Sequence, residues 1–189
     1  MNRPTVGFAL CASYCTYKDV IEVLRETAKR FNVIPIMSGN AANTDTRFGT
    51  AEYWRAEIRE ATGREPLTTL AEVEPFGPKK LLDILVIAPA TGNTIAKLAA
   101  GVSDSSVSLA YKAHLRNARP VVIAISTNDA LSGNAPNFGQ LLNRRNHYFV
   151  PFGQDDAIGK PTSLVADFRQ IPDAVAAALR GEQLQPLLI

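Results

Sequence analysis

The sequence is poor in the side chains that build metal sites and disulfide frameworks. It has two cysteines and two histidines among 189 residues. Cys11 and Cys15 stand close together without a neighbouring histidine or a second cysteine pair, a pattern that predicts no metal site. We expect both thiols to be small buried side chains.

Excess charge and long apolar runs are also scarce. The 20 basic and 18 acidic residues leave a net charge of +2, and the basic residues are scattered, which argues against a nucleic-acid partner. No apolar run is long enough to span a membrane, and the N-terminal residues lead into a strand pattern instead of a secretory signal. The sequence therefore predicts a cytoplasmic protein without a membrane partner.

Several short nucleotide-binding and catalytic patterns are missing as well. The first turn lacks G-x-G-x-x-G, and G-x-x-x-x-G-K-[ST] occurs nowhere, which argues against NAD bound in the standard way and against ATP. No serine lies in a G-x-S-x-G turn, so a Ser-His-Asp nucleophile has no support.

What the sequence does contain is a regular alternation of strand and helix patterns. Such an alternation predicts one domain over residues 1–189, with an α/β fold, an open doubly wound parallel sheet of the Rossmann or flavodoxin type, and helices on both faces. We predict strands at 5–10, 32–37, 84–88, 120–125 and 147–152. We predict helices after Thr16, which is a plausible cap, and at 51–61, 95–100, 109–118, 137–146 and 170–180.

The stretch from Leu82 to Gly101 carries the strongest functional signal. We expect its buried strand to stop at Pro89, because proline has no N–H for the ladder. The small polar residues from Thr91 to Thr94 then lead into a helix that Gly101 closes. A helix N-terminus in such a turn suits a phosphate or a ring carbonyl, although a plain capped turn would have the same residue types.

Polar loops follow four of the predicted strands at their carboxyl ends. They comprise residues 11–15, 38–49, 89–94 and 126–129. In an open parallel sheet these loops meet at one edge, and their hydroxyl and amide groups suit a phosphorylated planar ligand such as FMN. Arg47 suits a carboxylate or phosphate, but a solvated loop would look similar. Asp129 is the best placed acid or base, whereas we expect His114 and His147 to be surface or packing residues.

Three of these loops resemble motifs of the flavoprotein family that includes the homo-oligomeric flavin-containing cysteine decarboxylases. Pro89 to Thr94 (PATGNT) is similar to the P-A-S/T-A-N-T signature of that family, and Cys11-Ala12-Ser13 stands where the family has T-G-S. Ser126 to Leu131 occupies the place of its P-x-M-N-x-x-M-W motif and keeps the asparagine as Asn128. The resemblance implies an FMN pocket in which Ser13 binds the phosphate. The predicted cofactor-binding residues are Ser13, Ser38, Pro89, Thr91, Asn93 and Thr94.

Longer blocks resemble a branch of this family that makes dipicolinate, the pyridine-2,6-dicarboxylate of bacterial spores. The blocks are 43–49, 88–93, 115–122, 125–131 and 149–156. The resemblance implies an oxidoreductase subunit that oxidises a dihydrodipicolinate-type precursor during sporulation, together with a second subunit that binds NADP or NAD. It also implies a homo-oligomer, a trimer or a multiple of three. We predict Asn128 and Asp129 as catalytic residues, and Asn43, Arg47 and Asn128 as ligands of the small dicarboxylate substrate.

The chain also departs from the family pattern. The decarboxylases carry a catalytic histidine in an H-I/V-x-L segment, and residues 51–78 contain no histidine, which argues against cysteine decarboxylation. Ala12 replaces a glycine of the phosphate turn, and Gly92 replaces the alanine of the signature. The alternatives are therefore an FMN-dependent cysteine-type decarboxylase and a non-catalytic subunit that binds phosphate or substrate.

Overall fold

A computed structural model describes residues 3–189, and Met1 and Asn2 of the predicted domain lie outside the described residues. The core is a parallel sheet in the order β2-β1-β3-β4-β5, the arrangement of a flavodoxin-like doubly wound fold. The predicted fold class is thereby confirmed. The parallel strands are β1 (Thr5–Leu10), β2 (Asn32–Met37), β3 (Ile84–Ala90), β4 (Val121–Thr127) and β5 (His147–Phe149).

The last predicted strand, 147–152, is wrong in extent. β5 ends at Phe149, and the chain then forms an antiparallel hairpin of β6 (Phe152–Gly153) and β7 (Leu164–Ala166). Pro151 separates the two pieces and cannot donate to a ladder. β4 pairs with β5 along its first half and with β7 through Ser126 and Thr127, so that the sheet has seven strands within residues 3–189.

The central strands are apolar because they are covered on both faces. Every residue of β3 is buried, as expected for a strand in the middle of a parallel sheet. Pro89 does not stop this strand, which continues to Ala90. The register between β3 and β4 shifts between Ile87 and Ala90, and this irregularity accommodates a residue without an N–H group.

Three of the flanking helices, α6 (Gly92–Ala100), α7 (Ser106–Leu115) and α8 (Ala135–Leu142), begin earlier than hydrophobic periodicity predicts. α6 starts at Gly92 and α7 at Ser106, because Thr91 and Ser105 cap them by accepting hydrogen bonds from the backbone N–H groups of Thr94 and Ser108. Thr16 precedes α1 but makes no side-chain cap. The helices are α1 (Tyr17–Arg30), α2 (Gly39–Asn43), α3 (Ala51–Thr62), α4 (Leu70–Val73), α5 (Phe76–Lys79), α6 (Gly92–Ala100), α7 (Ser106–Leu115), α8 (Ala135–Leu142) and α9 (Ile171–Ala178). No helix of the described chain is long and apolar enough to cross a membrane.

Candidate functional site

Two clefts open side by side at the carboxyl edge of the sheet, and both are lined by Ala12 and Thr91. The larger has a volume of about 1060 Å³, which is ample for a small-molecule ligand. We call it the large cleft; its lining includes Ser13, Cys15, Asp19, Glu22, Val23, Ser126, Thr127, Asn128 and residues of the 155–169 segment. The small cleft, of about 250 Å³, is lined by Cys11, Ser38, Gly39, Asn40, Asn93, Thr94, Lys97, Asp104, Ser105 and Ser108.

A pair of hydroxyl groups stands at the large cleft. Ser13 Oγ lies 3.0 Å from Ser126 Oγ, and Ser126 is 6% exposed. The lining also includes four apolar side chains, Val23, Val165, Ala166 and Phe168. The large cleft therefore combines neutral hydrogen-bonding groups with a surface on which a planar ring can pack.

The charges that line the large cleft are mostly negative. Four carboxylates against two cations leave a formal charge of −2, and each cation is already engaged. Lys160 Nζ lies 2.5 Å from Asp155 Oδ2, and Arg169 Nε lies 2.8 Å from Asp167 Oδ1. This balance favours a neutral group over a dianion in the large cleft.

The small cleft has the opposite character, because it contains the N-terminus of α6. The first backbone bond of that helix runs from Ile95 N to Thr91 O, so the N–H groups of Gly92 and Asn93 have no intrahelical acceptor. Such N–H groups and the positive end of the helix dipole bind anions. Lys97 Nζ donates to Asp104 Oδ2 at 2.8 Å, and this hydrogen bond lowers the pKa of the Asp104 carboxyl.

The two cysteines behave differently. Cys11 is buried on the floor of the small cleft, and burial raises the pKa of its thiol to about 11, so it is a protonated, unreactive group at neutral pH. Cys15 is exposed and lines the large cleft. The prediction that both thiols are buried is wrong for Cys15, because the turn after β1 faces solvent.

The structure brings most of the predicted cofactor-binding residues together. Ser13 lines the large cleft, Ser38, Asn93 and Thr94 line the small cleft, and Thr91 lines both. Ser38 Oγ caps α2 by accepting a hydrogen bond from Ala41 N at 3.3 Å. Pro89 is instead buried in β3, where it supports the turn from below.

The predicted substrate residues Asn43 and Arg47 lie apart from the lining of these two clefts within the described chain. Asn43 Nδ2 donates to Gly39 O at 2.9 Å. The Arg47 guanidinium stacks 4.8 Å from the ring centroid of Phe48 in an exposed loop. The side chains of Asn43 and Arg47 therefore lie on the surface of a single chain and enter neither cleft.

Asp129 is engaged by hydrogen bonds rather than open to the large cleft. Its Oδ1 accepts a hydrogen bond from Thr127 Oγ1 at 2.5 Å, and its Oδ2 accepts one from Asn134 Nδ2 at 2.6 Å. Asn128, directly before it, is exposed and lines the large cleft.

Both histidines pack inside the fold, as predicted. His114 Nε2 donates to Pro120 O at 2.9 Å. His147 Nδ1 donates to Arg145 O at 2.8 Å, so its Nε2 accepts the hydrogen bond from Tyr111 OH at 2.7 Å. Burial is the main cause that lowers the pKa of both rings. Among residues 3–189 no three histidine, cysteine, aspartate or glutamate side chains gather as metal ligands.

Sequence reasoning missed three parts of the site. Ser126 and Lys97 are not among the predicted site residues, and no site residue is predicted within 155–169. Lys97 could be found from the sequence, because Thr91 marks the start of the helix. A lysine six residues later then lies on the second turn of that helix. The segment 155–169 carries no such signal, because its one strand, β7, is only three residues long.

Comparison with known proteins agrees with this geometry. The family model described as Flavoprotein matches residues 1–161. The B component of dipicolinate synthase from Bacillus subtilis (strain 168) is 44% identical over 185 residues, which cover 97% of this chain and 92% of that protein. The crystal structure of the same B component from Bacillus halodurans superposes with a TM-score of 0.91 at 44% identity, covering 100% of this chain and 98% of that one.

A more distant solved structure shows the same fold. The FMN-dependent cysteine decarboxylase SpaF superposes with a TM-score of 0.65 at 24% identity, covering 94% of this chain and 95% of that one. The resemblance seen in the first turn, in the Pro89–Thr94 signature and in the longer blocks is confirmed by the two matches to the B component of dipicolinate synthase. By its sequence, its sheet order and the clefts at its carboxyl edge, this chain belongs to the flavoprotein family.

Proposed function

We propose that this chain is the FMN-binding member of a cytoplasmic two-component oxidoreductase that forms dipicolinate during sporulation. Its partner, the A component of dipicolinate synthase, would bind NADP or NAD, and the pair would oxidise a dihydrodipicolinate-type precursor. The observation that carries the proposal is the pair of clefts joined at Ala12 and Thr91, found in a chain similar to the B component of dipicolinate synthase along nearly its whole length.

The two clefts match the two ends of FMN in their chemistry. The small cleft offers hydroxyl groups and the α6 N-terminus, which suit a phosphate. Lys97 lines the same cleft but is paired with Asp104. The large cleft offers apolar side chains and neutral polar groups, which suit a planar uncharged ring. Bound FMN would supply an acceptor for two electrons and a proton. The residues that would hold the phosphate are Ser38, Thr91, Asn93 and Thr94, with Pro89 supporting the turn. Ser13 lines the large cleft and would meet the ring end of FMN instead of the phosphate.

The substrate needs positive charge that the large cleft of one chain does not supply. Lys160 and Arg169, the two basic side chains of the large cleft, are each paired with a carboxylate. We therefore place the cations that would bind a dicarboxylate elsewhere. Arg47 is one source, since it stands on an exposed loop beside Phe48 and Tyr53, which are 42% and 50% exposed. A homo-oligomer, a trimer or a multiple of three, that buries this loop would bring Arg47 to the cleft of a neighbouring copy.

An absorbance spectrum of the purified protein, before and after FMN is added, tests the cofactor. We expect a flavin band of near-stoichiometric intensity that is lost in Ser13→Ala and Asn93→Ala. Asn143→Ala is the matched control, since Asn143 is an exposed asparagine beyond α8 and remote from the lining of both clefts. A chain that stays colourless at high FMN contradicts the flavin proposal.

Mixing with the A component tests the reaction. We expect dipicolinate to form from the dihydro precursor only when both components and a nicotinamide cofactor are present, and FMN depletion to abolish it. Full activity with FMN-free chain would instead support a non-catalytic subunit that binds substrate or phosphate. Carbon dioxide release from a C-terminal cysteine peptide would favour the decarboxylase alternative.

A further inference from the structure

Gly92, the first residue of α6, lies against a cluster of three polar side chains. A Cβ atom on Gly92 would lie 2.6 Å from Asp129 Oδ1, 2.7 Å from Asn134 Nδ2 and 2.7 Å from Thr127 Oγ1. These distances are far below a favourable nonbonded separation of about 3.5–4.0 Å. The close packing of α6 on this cluster therefore requires glycine at position 92.

The carboxylate of Asp129 holds the cluster together. It accepts hydrogen bonds from Thr127 Oγ1 and Asn134 Nδ2, one on each oxygen. Asn134 is 9% exposed, and its own Oδ1 accepts a hydrogen bond from Asn137 Nδ2 at 2.9 Å. The carboxylate also lies beside the N-terminus of α6, where the helix dipole favours a negative charge. Asp129 thus links the end of β4 to the start of α8.

This arrangement presents Asn128 to the large cleft. Its neighbours Thr127 and Asp129 are tied to each other, and its backbone oxygen accepts a hydrogen bond from Thr162 Oγ1 at 2.6 Å. Its backbone is therefore held on both sides while its amide group stands exposed at the large cleft. An amide offers one acceptor and two donors, which complement the C(=O)–N–H edge of a neutral planar ring.

We propose that Gly92 and Asp129 form a positioning pair that sets the Asn128 amide against the ligand of the large cleft. Asp129 acts through its neighbours and does not exchange protons with the substrate. Gly92 provides the space in which the carboxylate sits, so the two residues function only together. The inference deepens the proposed function, because the neutral ring that Asn128 meets is that of the flavin.

The pair itself can be tested without any ligand, through the side-chain amide signals of Asn134 in nuclear magnetic resonance spectra. We expect Gly92→Ala and Asp129→Ala to shift these signals and speed their hydrogen exchange. Gly139→Ala is the matched control: Gly139 lies inside α8, and a Cβ there would meet no described atom within 4 Å apart from its chain neighbours and the backbone of its own helix. If the Gly92→Ala variant folds and its Asn134 signals are unchanged, the proposal that Gly92 and Asp129 form a positioning pair is contradicted.

The role in binding is tested by titrating FMN, followed by its fluorescence, into four proteins. They are the wild type, Gly92→Ala, Asn128→Ala and the double variant. Losing one well-placed hydrogen bond predicts that each single variant weakens FMN binding by about three- to tenfold. The double variant should bind as Asn128→Ala does, because Gly92→Ala acts only through Asn128. Losses that simply multiply would contradict the positioning role.

Asp129→Asn separates positioning from acid–base chemistry. The amide keeps the size of the carboxylate but turns one acceptor into a donor, so we expect FMN binding to weaken as in Gly92→Ala. Unaltered FMN affinity with lost turnover would overturn the proposal in favour of a catalytic Asp129. A wild-type chain that binds no FMN would contradict the proposed function instead. The same titrations with pyridine-2,6-dicarboxylate, together with the Asn134 signals, would then decide the positioning pair.

Discussion

The hydroxyl oxygens of Ser13 and Ser126 lie 3.0 Å apart, although 113 positions separate these serines in the sequence. The contact joins the turn after β1 to the end of β4 across the large cleft. Either hydroxyl can donate in this contact. We expect Ser126 to donate, because Ser126 is buried and Ser13 is not, and this direction would leave the proton of Ser13 free for a ligand.

Removal of the Ser126 hydroxyl should therefore weaken ligand binding through Ser13. A neutral hydrogen bond is worth roughly 0.5–1.5 kcal/mol, so we expect Ser126→Ala to weaken FMN binding about two- to tenfold. Fluorescence titration measures this. Ser163→Ala is the control, because Ser163 is a buried serine that lines the same cleft but is not bonded to Ser13. Equal losses in both variants would argue against the orienting role of Ser126.

Arg144 should stabilise the fold by closing the C-terminal end of α6. Its guanidinium donates to Leu98 O at 2.9 Å, to Ala99 O at 2.5 Å and to Tyr111 OH at 3.1 Å. Hydrogen bonds from charged groups are worth about 1.5–3 kcal/mol, so we expect Arg144→Met to lower the free energy of unfolding by roughly 2–3 kcal/mol. Urea denaturation measures this loss. The adjacent exposed Arg145 provides the control, and a similar loss in Arg145→Met would contradict the capping role.

Stability should fall in mild acid because of the two buried histidines. Burial lowers the pKa of His114 and His147 below 6.5. In mild acid these rings therefore bind protons more readily in the unfolded chain than in the folded chain. The stabilisation is therefore fully present above pH 6.5 and is lost as pH falls, by up to about 1.4 kcal/mol per pH unit for each ring. Urea titrations between pH 5 and 8 test this. His147→Gln should remove about half of the slope, and an unchanged slope would assign the effect to other groups.

Release of Lys97 from Asp104 should strengthen anion binding in the small cleft. In Asp104→Asn the ammonium loses its carboxylate partner and can turn to a bound phosphate. The pair is solvent-exposed, so we expect inorganic phosphate to bind about two- to fivefold more tightly, and less so at high salt. Asp173→Asn makes the same change of net charge at a surface ion pair with Arg30. If both variants strengthen phosphate binding equally, the effect comes from net charge and not from Lys97.

The sequence was sufficient for the elements with strong periodicity and for the residues at their ends. β1 and β2 have the expected bounds, and α1 begins directly after Thr16 as predicted, because their apolar patterns are continuous. The turn from Thr91 to Thr94 also forms a helix N-terminus as predicted. The engagement of Asp129 was not foreseeable, because it depends on Asn134, whose place is set by the packing of α8 on α6. Nor was the β6–β7 hairpin, whose strands are too short to show a period.

The part of the large cleft formed by the β6–β7 hairpin is less firmly attached to the sheet than the part formed by the central strands. β7 is joined to β4 through only two residue pairs, Ser126–Val165 and Thr127–Leu164, whereas β3 is joined to both of its neighbours along most of its length. Segments with few ladder bonds open locally at a lower free energy than the core. The backbone amides of β7 should thus exchange their hydrogens well before those of β3, and we expect a large ligand to enter the large cleft from the hairpin side.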